Sequence, residues 1–198
     1  ILASNAQDAE RSVTASVVPP WKFNSGQKAQ LDAGVYFNNS GGAGQPYALY
    51  SLIRAPGFFD EVCYTGDGTS NRAVTHNLTV APELMIIKKR SSASLGNDWT
   101  VFCVSLGANF TLQLNTNIAK DSTGIFPTTS QTASTFILST SLQVNQSGST
   151  YVAYLFATCA GVSKVGSYTG TGALQTVNCG FAAGARFVLI KRTDSTGD

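Results

Sequence analysis

Apolar and polar residues alternate over short stretches of this chain, with turn-forming residues between the stretches. Phe110, Leu112 and Leu114 alternate with polar residues, which predicts a strand with one buried face. Residues 84–87 and 151–157 are continuously apolar, which predicts strands buried on both faces. Two further segments place their apolar positions on one predicted face: Val74, His76, Leu78 and Val80, and Phe136, Leu138, Leu142 and Val144. No segment has a helical period, and strands recur about every 8–12 residues, so the pattern predicts an all-β antiparallel sandwich or jelly-roll-like domain.

Residues 1–58 show a weaker pattern than the remainder of the chain. Residues 12–18 alternate and end at two prolines, while residues 34–37 and 47–53 are further short apolar runs. Residues 7–11 would form one helical turn at most. We therefore predict a β-rich N-terminal segment over residues 1–58 that serves for attachment or ends a preceding module.

The amino-acid composition supports the β prediction and narrows the possible partners. Charged residues make up 12% of the 198 residues, about half of the usual share of roughly 25%. Thr, Ser, Asn and Gly fill the difference, which suits strands and turns better than helices. The net charge is +2 and the basic residues are scattered, so no nucleic-acid partner is predicted. No apolar run approaches the ~20 residues of a spanning helix, so no membrane insertion is predicted.

Two groups of residues are of types that bind ligands or metals in other proteins, but simpler interpretations apply to them here. Lys88, Lys89 and Arg90 form the one basic cluster, which we predict to be a strand end that reaches solvent. The four cysteines contain no CxxC pair, so the spacing of a metal site is absent. They allow three disulfide connectivities. A chain of this length has enough apolar residues for a core and does not need disulfides, so we predict buried free thiols that pack as small hydrophobic groups. The cysteines are Cys63, Cys103, Cys159 and Cys179.

The chain contains an internal repeat. The sequence Tyr-Thr-Gly-Asp-Gly at residues 64–68 returns as Tyr-Thr-Gly-Thr-Gly at residues 168–172, an offset of 168 − 64 = 104. Residues 85–90 return as residues 187–192, an offset of 192 − 90 = 102. Two single-residue gaps in loops reconcile the offsets, and a unit of this length is the size of a domain.

The repeat predicts how the chain is divided into domains. We expect a complete β-sandwich repeat over residues 59–160 and the truncated start of a second over residues 161–198. Half a sandwich cannot bury the apolar residues 187–190. Either the native chain continues past Asp198, or another segment or subunit covers these residues. We favour continuation, because an uncovered apolar strand is an aggregation hazard.

Several separate blocks resemble one domain type. They are residues 55–60, the Tyr-Thr-Gly-x-Gly turn, and residues 80–88, 150–157, 164–170 and 178–181. Together they resemble a poorly characterised β repeat domain of predicted tail-fibre and other virion proteins of tailed bacteriophages, often found beside SPRY-like or laminin-G-like modules. The resemblance covers about residues 55–198. It implies a tail-fibre protein with a role in adhesion to the host surface, whose partners are other copies of itself in a homotrimer, other virion proteins, and a host glycan or protein.

The resemblance carries over no catalytic residues, and the candidate residues in the chain favour packing. His76 is the only histidine, and its counterpart in the second copy is about Cys179, which indicates a packing position rather than a general base. Asp60 and Glu61 are adjacent in an extended segment, so they point to opposite faces and cannot form the facing pair of a glycosidase.

The remaining candidates also have structural interpretations. Asp67 is the one carboxylate of its glycine-rich loop, too few for calcium, so we predict a hairpin turn. Trp21 and Trp99 could stack on sugars, but large aromatic residues in small β-domains mostly pack in cores or interfaces. We therefore predict no catalysis, cofactor or metal, and no receptor-binding residue can be named. A capsid decoration protein, a secreted carbohydrate-binding or adhesion module, and a depolymerase are the alternatives.

Overall fold

The computed structural model describes residues 52–91, 96–127 and 131–195. All of these except Leu52 and Ile53 belong to one structural unit, residues 54–198. The strands and helical turn predicted before residue 52, together with Trp21, lie outside the described residues.

Seven antiparallel strands form two sheets in the described residues, and the protein is all-β as predicted. The five-stranded sheet has the order β1-β7-β3-β4-β5, and β2 pairs with β6 in the second sheet. A single 3₁₀ turn, Val104–Leu106, follows β4. The strands are β1 (Phe59–Thr65), β2 (Arg72–Thr75), β3 (Leu84–Lys89), β4 (Thr100–Cys103), β5 (Leu112–Gln113), β6 (Thr135–Leu138) and β7 (Thr150–Phe156).

Strand β7 lies between β1 and β3 and is antiparallel to both. Its alternate residues Tyr151, Ala153 and Leu155 are fully buried between the two sheets. Tyr154 and Phe156 pack on the opposite face of the sheet. A strand covered on both faces requires apolar residues at nearly every position, which confirms the prediction for residues 84–87 and 151–157.

Two apolar cores cover the two faces of the five-stranded sheet. The inter-sheet core joins Met85 and Ile87 of β3 to Val74 of β2 and to Phe136 and Leu138 of β6. Because this core lies between the two sheets, they form a sandwich. Burial of each side chain of this size stabilises the fold by about 1.5–3 kcal/mol. The outer core lies on the other face and is built from Ile86, Val101, Leu106 and Leu112.

Three strand predictions were too long, and each has a local cause. Strand β2 ends at Thr75, and the left-handed backbone at Thr79 breaks the alternation, so Val80 is exposed. Leu142 is exposed because it lies in a turn closed by the bond from the Val144 N–H to the Ser141 carbonyl. The strand predicted over residues 99–106 gives way to the 3₁₀ turn after Cys103.

The described residues 164–195 contain no strand. Val188, Leu189 and Ile190 are 63%, 51% and 63% exposed, although their sequence is that of a buried strand. Hydrogen bonds from the Lys120 N–H to the Thr193 carbonyl and from Lys191 Nζ to the Thr116 carbonyl connect this segment to the sandwich.

Candidate functional site

The loops at one end of the sandwich converge on the buried side chain of Asn145. The ends of β1 and β3 and the start of β7 lie here, because neighbouring strands are antiparallel. We call residues 65–72 and 141–149 the Asn145 loop cluster. Loops fixed by a rigid scaffold are the usual place for binding residues in β-sandwich proteins.

Asn145 satisfies all its hydrogen-bonding groups within this cluster. Its Nδ2 donates to the Thr69 carbonyl at 2.9 Å and to Asp67 Oδ1 at 3.2 Å. Its Oδ1 accepts from the Asp67 N–H at 3.0 Å and from Arg72 Nη1 at 3.1 Å. A fully buried amide that lost these partners would be costly, so Asn145 fixes the conformation of the β1–β2 loop.

The backbone of Gly66 packs directly against the second loop of the cluster. Its N–H donates to the Ser149 carbonyl at 2.7 Å, and its carbonyl accepts from the Gly148 N–H at 2.9 Å. A Cβ atom at Gly66 would lie 2.1 Å from the Gln146 carbonyl oxygen, so only glycine fits. Strands β1 and β2 belong to different sheets. The predicted hairpin turn is therefore wrong: the loop crosses from one sheet to the other and is closed by residues 145–149.

The Asp67 carboxylate is occupied by groups of the protein itself. Its Oδ1 accepts from the Thr69 N–H and hydroxyl, both at 2.8 Å, and its Oδ2 lies 3.4 Å from Arg72 Nε. The bond from the Thr69 N–H is the main cause that holds the pKa of Asp67 below its usual value. Among the residues that the structure describes, no group of three or more His, Cys, Asp or Glu side chains is arranged to hold a metal ion.

Two stacked tyrosines connect the strands to the Asn145 loop cluster. The rings of Tyr64 on β1 and Tyr151 on β7 lie 5.2 Å apart. Tyr64 donates to the Val144 carbonyl at 2.7 Å, and Tyr151 donates to the Leu142 carbonyl at 2.9 Å. Burial raises the pKa of Tyr64 well above its usual value, so the hydroxyl keeps its proton and acts as a donor.

The prediction that Lys88, Lys89 and Arg90 reach solvent as a strand end is wrong for both lysines. Lys89 is buried, with its Nζ 2.5 Å from Gln146 Oε1, and burial lowers its pKa. Lys88 is half-buried and donates to the Asn97 carbonyl. Only Arg90 is exposed. A charged side chain is tolerated in such places when its head group is hydrogen-bonded.

His76 lies at the opposite end of the sandwich, buried with the core residues. The Leu78 N–H donates to its Nδ1 at 3.1 Å, which leaves Nε2 to donate to the Thr132 carbonyl at 3.2 Å. The ring stacks on Phe136 with the centroids 6.3 Å apart. Burial lowers the pKa of His76, and both nitrogens bond to backbone groups. This is the geometry of a packing residue, since a general base needs a nitrogen that reaches substrate.

Asp60 and Glu61 point to opposite faces of β1, as predicted. Asp60 lies opposite Leu155, on the inter-sheet side, and Glu61 lies opposite Tyr154, on the outer side. Asp60 Oδ2 accepts from the Asn77 N–H at 2.7 Å. Two carboxylates separated by the sheet cannot act together on one glycosidic bond.

Trp99 is half-buried and packs against the outer core, as predicted. The Lys88 ammonium lies over its ring, 5.6 Å from the centroid. The contact of the ring with the core and the cation over its face leave little of the aromatic surface for stacking on a sugar.

The four cysteines are free thiols, but the prediction that they are buried is wrong. Cys63 is exposed and the other three are half-buried: Cys103, Cys159 and Cys179. Cys63 is on β1, where Asp60 and Val62 alternate with it, so its side chain points away from the inter-sheet core.

The sequence pattern did not reveal Asn145, the central residue of the Asn145 loop cluster. Asn145 stands next to a predicted turn, where an exposed asparagine is common, and its burial depends on a loop 78 residues away. The one available indication was that Tyr-Thr-Gly-x-Gly occurs twice in the chain, since a repeated glycine at a fixed position indicates a close backbone contact.

The described residues thus define a class of protein: an all-β sandwich whose polar loop residues hydrogen-bond to one another. Residues 44–198 match a family model described as a domain of unknown function, DUF7483, and the chain belongs to that family. No curated protein and no solved structure matches the chain.

Proposed function

We propose that this chain is a structural protein of a bacteriophage virion, part of a tail fibre that adheres to the host surface without catalysis. The observation that carries the proposal is the all-β sandwich, in which polar loop groups hydrogen-bond to one another. Such a unit suits a rigid spacer or a presenting scaffold. The resemblance of residues 55–198 to predicted tail-fibre repeats supports the virion location.

The Asn145 loop cluster is the end of the sandwich best suited to adhesion. Asn145 and Gly66 fix the β1–β2 loop, while Thr69, Ser70 and Asn71 at its tip are exposed. A loop already held in one conformation loses little entropy when it binds. Several copies in a homotrimer would multiply a weak contact with a host glycan or protein.

Labelling of virions tests the location. An antibody raised against the chain, bound to purified virions of the phage that encodes it, is expected to mark the tail fibres in immunogold electron microscopy. Antibody pre-absorbed with the chain is the control. Label on the capsid would replace the proposal with a decoration protein. A chain found in culture supernatant but not in particles would indicate a secreted adhesion module.

A binding assay tests the adhesion role separately. The fluorescent chain is expected to bind host cells, and Ser70→Arg at the loop tip is expected to reduce binding at least about tenfold, by loss of about 1.4 kcal/mol. Ser134→Arg, an exposed residue at the His76 end, is the matched control and is expected to bind normally. Equal binding by both variants contradicts the assignment of this end. A chain that lowers the viscosity of host polysaccharide would be a depolymerase and would contradict the absence of catalysis.

A further inference from the structure

Strand β3 of the first copy corresponds to residues 187–192 of the second copy with an offset of 103 residues. Four apolar residues precede Lys88 in β3, and four apolar residues, 187–190, precede Lys191. The offset of this strand is therefore 191 − 88 = 103, the same as that between His76 and Cys179, and not the 102 derived from the arginines. Residues 188–190 are thus the counterparts of residues 85–87.

Three separate positions of the second copy lack the contacts that their counterparts have. Residues 85–87 are buried in the two cores, whereas residues 188–190 are exposed. Tyr64 stacks on Tyr151, whereas Tyr168 is 49% exposed.

The third position is the glycine of the repeated turn. A Cβ atom at Gly66 would collide with the Gln146 carbonyl, whereas a Cβ at Gly170 would have no atom within 4 Å. In the first copy, Gly66 and Tyr64 contact residues 144–151, and β3 pairs with β7 over residues 151–156. Tyr64 also packs on Phe136, and β3 also pairs with β4. The element that contacts all three positions is strand β7 with the loop before it.

We propose that residues 164–192 are an acceptor for the β7 strand of a further repeat of this family. The donor strand would insert antiparallel between residues 164–169 and 187–191, as β7 lies between β1 and β3. We expect it to be apolar on both faces, as β7 is, because residues 187–190 are apolar at every position and so present apolar side chains to both sides of the sheet. A loop of the Asn-Gln-x-Gly type before it would close on Gly170. The inference concerns assembly of repeats and does not depend on the virion location.

The test supplies the second copy with a β7 strand. A copy of residues 90–160 replaces residues 193–198, because Arg192 is the counterpart of Lys89. Amide hydrogen exchange is measured in this extended chain and in the 198-residue chain. Amides of residues 165–169 and 187–191 are expected to exchange on the order of 10³-fold more slowly in the extended chain. The control extension carries Asp at the copied positions of Tyr151, Ala153 and Leu155, and is expected to give no protection.

Gly170→Ala distinguishes insertion of the strand from unspecific collapse. The substitution is expected to leave exchange unchanged in the 198-residue chain and to remove at least tenfold of the protection in the extended chain. If the extended chain is insoluble, a peptide of residues 145–158 added to the 198-residue chain replaces it, with Tyr151→Asp, Leu155→Asp as the control peptide. If neither the extension nor the peptide slows exchange at these amides, the proposal is overturned. The proposal is also overturned if these amides are protected in the 198-residue chain alone and the chain sediments as a dimer. A second protein chain would then cover residues 164–192.

Discussion

Residues 64–90 and residues 168–192 have similar sequences but different surroundings, and we refer to them as the first and second copies. In the first copy, the Tyr64 ring stacks on Tyr151 and the Gly66 backbone packs against Gln146. In the second copy, Tyr168 is 49% exposed, and a Cβ atom at Gly170 would have no atom within 4 Å. The difference shows that a strand-like pattern forms a strand only when a neighbour supplies both hydrogen bonds and an apolar face. In this fold the neighbour is β7, which is distant in sequence from both strands that it joins.

Removal of a core side chain is expected to give the largest contrast between the copies. Ile87→Ala should lower the free energy of unfolding by about 4 kcal/mol, because Ile87 is fully buried in the inter-sheet core. Ile190→Ala, its counterpart, should change it by less than about 0.5 kcal/mol. Urea denaturation followed by tryptophan fluorescence measures both. Equal losses would contradict the difference in burial.

The repeated glycine is expected to give the next largest contrast. Gly66→Ala should destabilise the chain by about 3 kcal/mol, since the new methyl group meets backbone and not a flexible side chain. Gly170→Ala should be neutral within about 0.5 kcal/mol. A thermal melt of the two variants beside the unaltered chain checks the pair. A mild effect of Gly66→Ala would show that the loops can separate.

Removal of the buried amide tests whether Asn145 holds the loop. Asn145→Ala is expected to cost about 2 kcal/mol of unfolding free energy, because it leaves groups of Asp67 and Arg72 without their partner. Asn178→Ala, an exposed position in the second copy, is the control and should have little effect. The expected sign of lost restraint is faster amide exchange at residues 67–71 in the first variant alone.

The pH dependence of stability is expected to show the smallest effect. Because folding lowers the pKa of His76 below 6.5, the unfolded ring binds a proton that the folded ring resists. Stability is therefore fully present above pH 6.5 and falls as the pH decreases below it, by no more than about 1.4 kcal/mol per pH unit. Urea midpoints at pH 7.5 and 5.5 should differ in the chain and differ less in His76→Gln. An unchanged slope in the variant would assign the titration to another group.

The sequence pattern predicted the fold class and the doubly buried strands because continuous apolar runs have a simple cause. Residues 151–157 could hardly be placed anywhere except in the middle of a covered sheet. Strand ends were harder, since the left-handed residue Thr79 and the turn at Leu142 interrupt patterns that look continuous. The buried states of Lys89 and Asn145 could not be predicted, because each depends on a partner more than 50 residues away.

Amide hydrogen exchange of the 198-residue chain, resolved by mass spectrometry, tests the central claim most directly. The account predicts slow exchange in β1, β3 and β7 and fast exchange throughout residues 164–192, although both regions contain the repeated sequences. Equal and strong protection of both regions in a monomeric chain would contradict it, because the second copy would then be folded without a β7 strand of its own.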